Sequence, residues 1–169
     1  MEKYLAHIFI PMIISNVLHM LIVKKDVLAS LARSISIVLF GKNKTWRGMV
    51  VVPIINGIFF LIVNIIYPVF KCGQAFLVGC LLGLAYVISE LPNSFFKRRR
   101  GIAAGQQAKK HTWLFMLLDK SDSALGVSLV SKFLLELTWT ETLQLFFTAM
   151  GVHIFFSWLL VQIKVKERF

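Results

Sequence analysis

Long apolar runs alternate with short polar connections along the whole chain. Five of these runs are about 20 residues long or longer, which is the length that a helix needs to cross the hydrocarbon core of a bilayer. They cover positions 4–23, 49–70, 74–96, 112–137 and 142–163. This pattern predicts an all-α integral membrane protein with five transmembrane helices, forming a single domain over residues 1–169.

Two apolar stretches need a separate interpretation. The first run is followed by Lys24 and Lys25 instead of a small-residue cleavage site, so we predict a membrane span there and not a signal peptide. The stretch 27–40 is too short to cross the bilayer. We expect it either to re-enter the membrane or to lie in the membrane interface.

The composition excludes most classes of soluble protein. Of the 169 residues, 57% are hydrophobic and only 16% are charged, and the mean hydropathy is +0.75. A typical soluble domain has about 25% charged residues. A core of this size cannot bury so much apolar surface, so the chain is neither a secreted domain, nor a disordered chain, nor a cytosolic enzyme.

The formal charge of +11 is concentrated in two connections and the C-terminal tail. The connections 24–47 and 97–111 carry six basic residues each and the tail carries three, whereas the other side has only Lys3 and Lys71. Basic residues favour the cytoplasmic side of a membrane. We therefore predict an inner- or plasma-membrane protein with its N-terminus outside and its C-terminus and loops 24–48 and 97–111 in the cytoplasm. The charge then requires no nucleic-acid partner.

The fourth apolar run contains an acidic pair, Asp119 and Asp122, beside Lys120. Each charge at the centre of a membrane helix costs about 2.5–3.5 kcal/mol, so the cluster needs a compensating partner. Residues three apart share a helix face, where two carboxylates are suitable ligands for Mg²⁺. The alternative is a structural ion pair with Lys120 or Lys97.

A second polar cluster closes the third run, where Glu90 precedes Pro92 and four consecutive basic residues follow at 97–100. Two of these four charges suffice to anchor the helix at the membrane surface. We expect the other two, Lys97 and Arg98, to face the acids and hold phosphate oxygens.

The third cluster is the loop Gly41–Gly48, whose sequence is GKNKTWRG. Its Lys, Thr and Arg side chains are suitable donors for a polyphosphate, although an ordinary basic connector would have the same composition. All three clusters lie at the predicted cytoplasmic side. Acids for a metal and cations for phosphates, brought to one membrane depth, are typical of phosphoryl or nucleotidyl transfer.

Three motifs in order carry a family resemblance. They are K-T-x-R-G at 44–48, S-F-x-K-R-R-x-G-I at 94–102 and D-x-x-D-x-x-L-G at 119–126. Together they resemble the CDP-archaeol synthase family, which is related to the CDP-diacylglycerol synthases. The resemblance implies a Mg²⁺-dependent cytidylyltransferase of phospholipid biosynthesis, in which CTP and a membrane lipid phosphate give a CDP-lipid and pyrophosphate.

The resemblance also assigns roles to residues. Glu90 stands where the family usually has Asp, and we include it among the expected metal ligands. The expected catalytic residues are Asp119, Asp122, Lys97 and Arg98; the expected substrate-binding residues are Lys44, Thr45, Arg47, Gly48, Asn93 and Ser94; the expected metal ligands are Asp119, Asp122 and Glu90.

The competing interpretation is a small membrane transporter with an intramembrane acidic site. Such a protein would show inverted repeats and would not need two basic cytoplasmic loops. The sequence leaves open whether the lipid phosphate is an isoprenoid ether or an acyl lipid, and which oligomer the chain forms.

Overall fold

The computed structural model describes residues 2–104, 106 and 112–162, and five α-helices account for most of them. The all-α prediction is confirmed, since the described residues contain only an isolated β-bridge, between Ser34 and Thr45. The helices are α1 (Glu2–Lys24), α2 (Trp46–Ile66), α3 (Cys72–Arg99), α4 (Thr112–Leu134) and α5 (Trp139–Gln162).

Four of these helices, α1, α2, α3 and α5, are long and apolar enough to cross a membrane. The chain is therefore a multi-pass membrane protein. Helix α4 occupies the fourth predicted segment but is not among the four, because Asp119, Lys120 and Asp122 lower its hydropathy. The fifth span and the orientation of the termini stay predictions.

Helix α2 ends at Ile66, earlier than the apolar run that predicts it. Pro68 disfavours helical geometry in the residue before it. The side-chain oxygen of Asn64 then accepts hydrogen bonds from the backbone N–H groups of Val69 (3.1 Å) and Phe70 (2.9 Å). These bonds give partners to the backbone N–H groups of the turn before α3 and hold this short connection in place.

Helices α2 and α3 approach closely along a seam of small residues. A Cβ added to Gly79 would lie 2.5 Å from the Cβ of Phe60 and 2.8 Å from the Cα of Gly57. The amide of Asn56, which is fully buried, donates to the backbone oxygen of Gly79 at 2.6 Å. Small residues allow such approach in membrane helices, so the spacing of Gly79 and Gly83 serves helix packing.

The pair α4–α5 is joined by a tight connection after Leu134. Thr138 and Glu141 form a capping box: the Thr138 N–H donates to the Glu141 carboxylate at 3.0 Å, and the Glu141 N–H donates to the Thr138 hydroxyl at 3.3 Å. This reciprocal pair starts α5 at Trp139. Between the two helices Glu136 has a positive φ of 52°, which does not continue the right-handed helix α4.

Between α1 and α2 the chain folds back on itself. After a 3₁₀ turn at Ala29–Leu31, the N–H of Ile35 donates to the oxygen of Lys44 (2.9 Å) and the N–H of Trp46 donates to the oxygen of Arg33 (3.0 Å). The apolar stretch 27–40 therefore forms no long helix. Its residues around Ser34 instead pair through backbone hydrogen bonds with residues 44–46, and this pairing holds the loop Gly41–Gly48 in place.

Candidate functional site

The acidic pair of α4 faces α3 and is bridged by an amide. The Nδ2 of Asn93 donates to Asp119 Oδ1 at 2.6 Å and to Asp122 Oδ2 at 3.1 Å. One donor can reach both carboxylates only because they lie on the same face of α4, as their spacing predicts. The structure thus brings together three of the expected site residues.

Asp119 also forms an ion pair with Lys97, whose ammonium contacts both carboxylate oxygens. This is one of the two ion pairs that the sequence offers as an alternative to a metal. The Asp119 side chain is nevertheless 42% exposed, whereas that of Lys97 is 13% exposed. The pair is therefore open on the Asp119 side and is not sealed in a dry helix interface.

Asp122 is less exposed and lies deeper in the helix pair. Its Oδ1 accepts a hydrogen bond from the backbone N–H of Ser123 at 2.6 Å, and its side chain lines a groove between α3 and α4. Among the charged groups that act on it are the like charge of Glu90 and the opposite charge of Lys44. Asp122 therefore connects the acidic pair to this groove.

Glu90 pairs with Lys44 and so ties the loop Gly41–Gly48 to α3. Both side chains are about a quarter exposed, at 24% each. No three His, Cys, Asp or Glu side chains gather at metal-binding distance within the described residues. The structure thus brings Asp119 and Asp122 together and leaves Glu90 with the lysine of the loop.

A glycine brings the loop to the end of α3. Gly41 has a positive φ of 85°, and a Cβ there would lie 3.0 Å from the Cβ of Ala104 and 3.4 Å from the Cδ of Arg98. The Nε of Arg98 is buried and has no hydrogen-bond partner. A buried unpaired donor carries a cost of about 1–3 kcal/mol, which an anion at this loop would relieve.

Glu90, Asn93 and Lys97 form one stripe on α3, because positions separated by three and by seven residues share a helix face. Arg98 adjoins this stripe and lies against the loop. The contacts of Lys44, Asp119 and Asp122 all fall along the same stripe. Cations and acids therefore alternate on one surface of α3.

Arg47 does not face the acids. Its side chain is 7% exposed, and its Nη1 donates to Asp26 Oδ1 and to the backbone oxygen of Val27, both at 3.0 Å. This expected substrate-binding residue braces the turn that follows α1. Its buried Nε has no partner, so one donor of the guanidinium is uncommitted.

Two other expected substrate-binding residues, Thr45 and Ser94, have local backbone partners. Thr45 is the N-cap of α2, and its hydroxyl accepts from the N–H of Gly48 at 3.5 Å. The hydroxyl of Ser94 donates to the backbone oxygen of Glu90 within its own helix, at 2.9 Å. These side chains shape the loop and the helix around the site.

The sequence alone favours a packed or hydrogen-bonded His19 and gives it no place in the site. Its Nε2 is buried without a hydrogen-bond partner, and a Cβ on Gly48 would lie 3.5 Å from that atom. Glu90, Arg47 and Lys44 are the charged groups that act on the ring. The available signal is its position near the end of α1, five residues before Lys24, at the predicted depth of the loop.

A second histidine, His153 of α5, lies beside Ser123, the residue that follows Asp122. Its Nδ1 lies 3.1 Å from the hydroxyl of Ser123, and its ring centroid lies 6.0 Å from that of Tyr86. The Tyr86 hydroxyl interacts with Ser123 and Glu90. No motif marks these residues, since they come from three different helices.

Comparison with known proteins gives two informative similarities. The chain is 37% identical over 71 residues to the CDP-archaeol synthase of Pyrococcus furiosus, covering 41% of this chain and 42% of the relative. It is 33% identical over 97 residues to the CDP-archaeol synthase of Staphylothermus marinus, covering 57% of this chain and 49% of the relative. The matched stretches thus span half or less of these relatives.

No family model matches the chain. No solved structure matches it either. The two curated relatives nevertheless bear the family name that the three sequence motifs indicate. The resemblance of this chain to the CDP-archaeol synthase family is therefore confirmed.

Proposed function

We propose that the chain is a CTP-dependent cytidylyltransferase that converts a membrane lipid phosphate to a CDP-lipid and pyrophosphate. The observation that carries the proposal is the pair Asp119–Asp122, bridged by Asn93 and bordered by Lys97 on the same stripe of α3. The similarity to two CDP-archaeol synthases supports this activity over the transporter alternative.

The donor set of the acidic pair fits a magnesium ion. Two carboxylates on one helix face, one of them 42% exposed, supply the hard oxygen ligands that Mg²⁺ prefers beside substrate phosphates. We propose that Asp119 and Asp122 hold the ion. When bound, Mg²⁺ neutralises negative charge on the phosphates of the nucleotide. We do not assign Glu90 to the metal, because its carboxylate pairs with Lys44 of the loop.

The cations of the site can bind phosphate while they remain paired with acids. A lysine ammonium has three donors, so Lys97 and Lys44 keep donors beyond those used by Asp119 and Glu90. Arg98 adds a buried donor without a partner at the loop. We propose that these three residues hold the triphosphate of CTP and stabilise the charge that develops on the pyrophosphate.

The chemical step requires no strong general base. A phosphomonoester has a second pKa of about 6 and is largely ionised at neutral pH. An oxygen of the lipid phosphate forms a bond to the α-phosphorus of CTP, and the bond from that phosphorus to the pyrophosphate breaks. The protein therefore contributes mainly positioning and charge.

The proposed function includes an orientation. We propose five spans, with the N-terminus outside and both basic loops in the cytoplasm, where CTP is available. This places the loop Gly41–Gly48 and the acidic pair on the cytoplasmic side of one membrane. The lipid substrate then reaches the site from within the bilayer.

Turnover by the purified full chain tests the activity. We expect pyrophosphate and a labelled CDP-lipid to form when CTP and Mg²⁺ are supplied with dioleoyl phosphatidate or with the phosphomonoester of an isoprenoid diether lipid. EDTA should stop the reaction. Pyrophosphate release without any lipid, or no turnover across a panel of lipid phosphates and the four ribonucleoside triphosphates, would contradict the proposal.

Lys44→Gln should raise the KM for CTP by about 10- to 100-fold, because it removes a charged donor from the proposed triphosphate site. The KM for the lipid phosphate should change little. Lys42→Gln is the matched control, since Lys42 is exposed on the same loop. Equal effects of the two substitutions on the KM for CTP would remove Lys44 from the site.

A further inference from the structure

A groove of about 600 Å³ runs between α3 and α4 on the side of the acidic pair. Its polar part is lined by Asn93, Arg100 and Asp122, and its apolar part by Phe96, Leu125 and Leu129. The apolar side chains are 60%, 51% and 37% exposed. Exposed apolar side chains of this kind are suited to contact hydrocarbon chains.

Arg100 is the residue that distinguishes this groove. It follows the last turn of α3 as the C-cap, and its side chain lines the groove. The neighbouring Arg99 lies instead over the ring of Phe95, with its guanidinium carbon 5.2 Å from the ring centroid. Two adjacent arginines of one basic run therefore have different surroundings, although either could anchor the helix at the membrane surface.

We propose that this groove binds the lipid phosphate, with Arg100 contacting its phosphate and the wall of Phe96, Leu125 and Leu129 contacting its hydrocarbon chains. The proposal rests on the proposed function. A guanidinium is suited to a phosphomonoester because it donates in a planar fork. The apolar wall favours a lipid over free phosphate, since burying an alkyl chain contributes for each CH₂ group.

The groove is separate from the loop that we assign to CTP. None of the described residues of Gly41–Gly48 lines it. Asp122 belongs to both regions, because it lines the groove and shares Asn93 with Asp119. The phosphate of a lipid in the groove would therefore meet the nucleotide at the acidic pair.

Matched arginine variants test the phosphate contact. We expect Arg100→Gln to raise the KM for dioleoyl phosphatidate at least about 10-fold, as expected for the loss of a charged hydrogen bond, and to leave the KM for CTP unchanged. Arg99→Gln should change neither constant. Equal lipid KM values for the two variants, or an effect of Arg100→Gln on CTP alone, would overturn the assignment.

A binding measurement without CTP separates this inference from the proposed activity. Dioleoyl phosphatidate should raise the melting temperature of the detergent-solubilised full chain, whereas dioleoyl phosphatidylcholine and inorganic phosphate should not. Leu129→Trp should abolish the shift by filling the groove. Phe133→Trp is its control, since Phe133 lies one turn further along α4, is 74% exposed and does not line the groove.

The outcomes of the two experiments are distinguishable. Phosphatidate binding that is lost in Arg100→Gln and Leu129→Trp, without pyrophosphate release by the unmodified chain, would support the groove and contradict the proposed function. Normal turnover together with unchanged phosphatidate binding in both variants would overturn the groove. An equal shift with inorganic phosphate would exclude a lipid-specific site.

Discussion

Asp122→Asn abolishes CDP-lipid formation, with an expected fall in kcat of at least about 1,000-fold. The substitution removes the charge that we assign to Mg²⁺ binding, and charge stabilisation is the dominant contribution in phosphoryl transfer. An asparagine keeps the shape of the side chain and an oxygen that accepts the Ser123 N–H. The variant should therefore insert and fold, and a pyrophosphate assay measures the loss.

Glu136→Gln is the control for this prediction. Glu136 is an exposed acid that follows the opposite end of α4, away from Asn93 and Lys97. It should retain the activity of the unmodified chain. Normal turnover by Asp122→Asn, in protein of normal size-exclusion profile, would contradict a metal role for this residue.

Gly79→Ala lowers the melting temperature of the full chain in detergent by roughly 5–10 °C, corresponding to about 2–3 kcal/mol of overpacking. The new Cβ would lie 2.5 Å from the Cβ of Phe60 and 2.8 Å from the Cα of Gly57, so α2 and α3 must separate. The separation also stretches the hydrogen bond from Asn56 to Gly79.

The same substitution at Gly151 isolates the packing effect. Gly151 lies within α5, and a Cβ there would meet no atom within 4 Å. Because alanine favours helix by up to about 1 kcal/mol over glycine, Gly151→Ala should leave the melting temperature unchanged or raise it. A similar loss in both variants would show that the α2–α3 seam is not especially tight.

Helix positions were largely predictable from the apolar runs, because the length of an apolar run is a local property of the chain. The predicted and observed helices differ at their ends, and local sequence features account for two of these differences. Pro68 stops α2 early, and the capping box of Thr138 and Glu141 starts α5 early. The polar residues of α4 reduce its hydropathy, so its membrane span stays a prediction.

The candidate site was predictable only in part. The spacing of Asp119 and Asp122 places both on one helix face, and the structure agrees. The sequence offered Lys97 as one of two partners for the acidic pair, but it did not indicate which of the charge pairs form. Lys97 pairs with Asp119, Lys44 pairs with Glu90, and Arg47 turns away from the acids to brace the turn at Asp26.

The sequence by itself determined the membrane class, the helices and the family resemblance, because composition, periodicity and short motifs depend on neighbouring residues. Only the tertiary structure decided which charges meet, which buried donors such as His19 Nε2 lack a partner, and that Arg100 enters the groove while Arg99 does not. These features depend on how α1, α3 and α4 approach one another across long sequence separations, which local patterns do not encode.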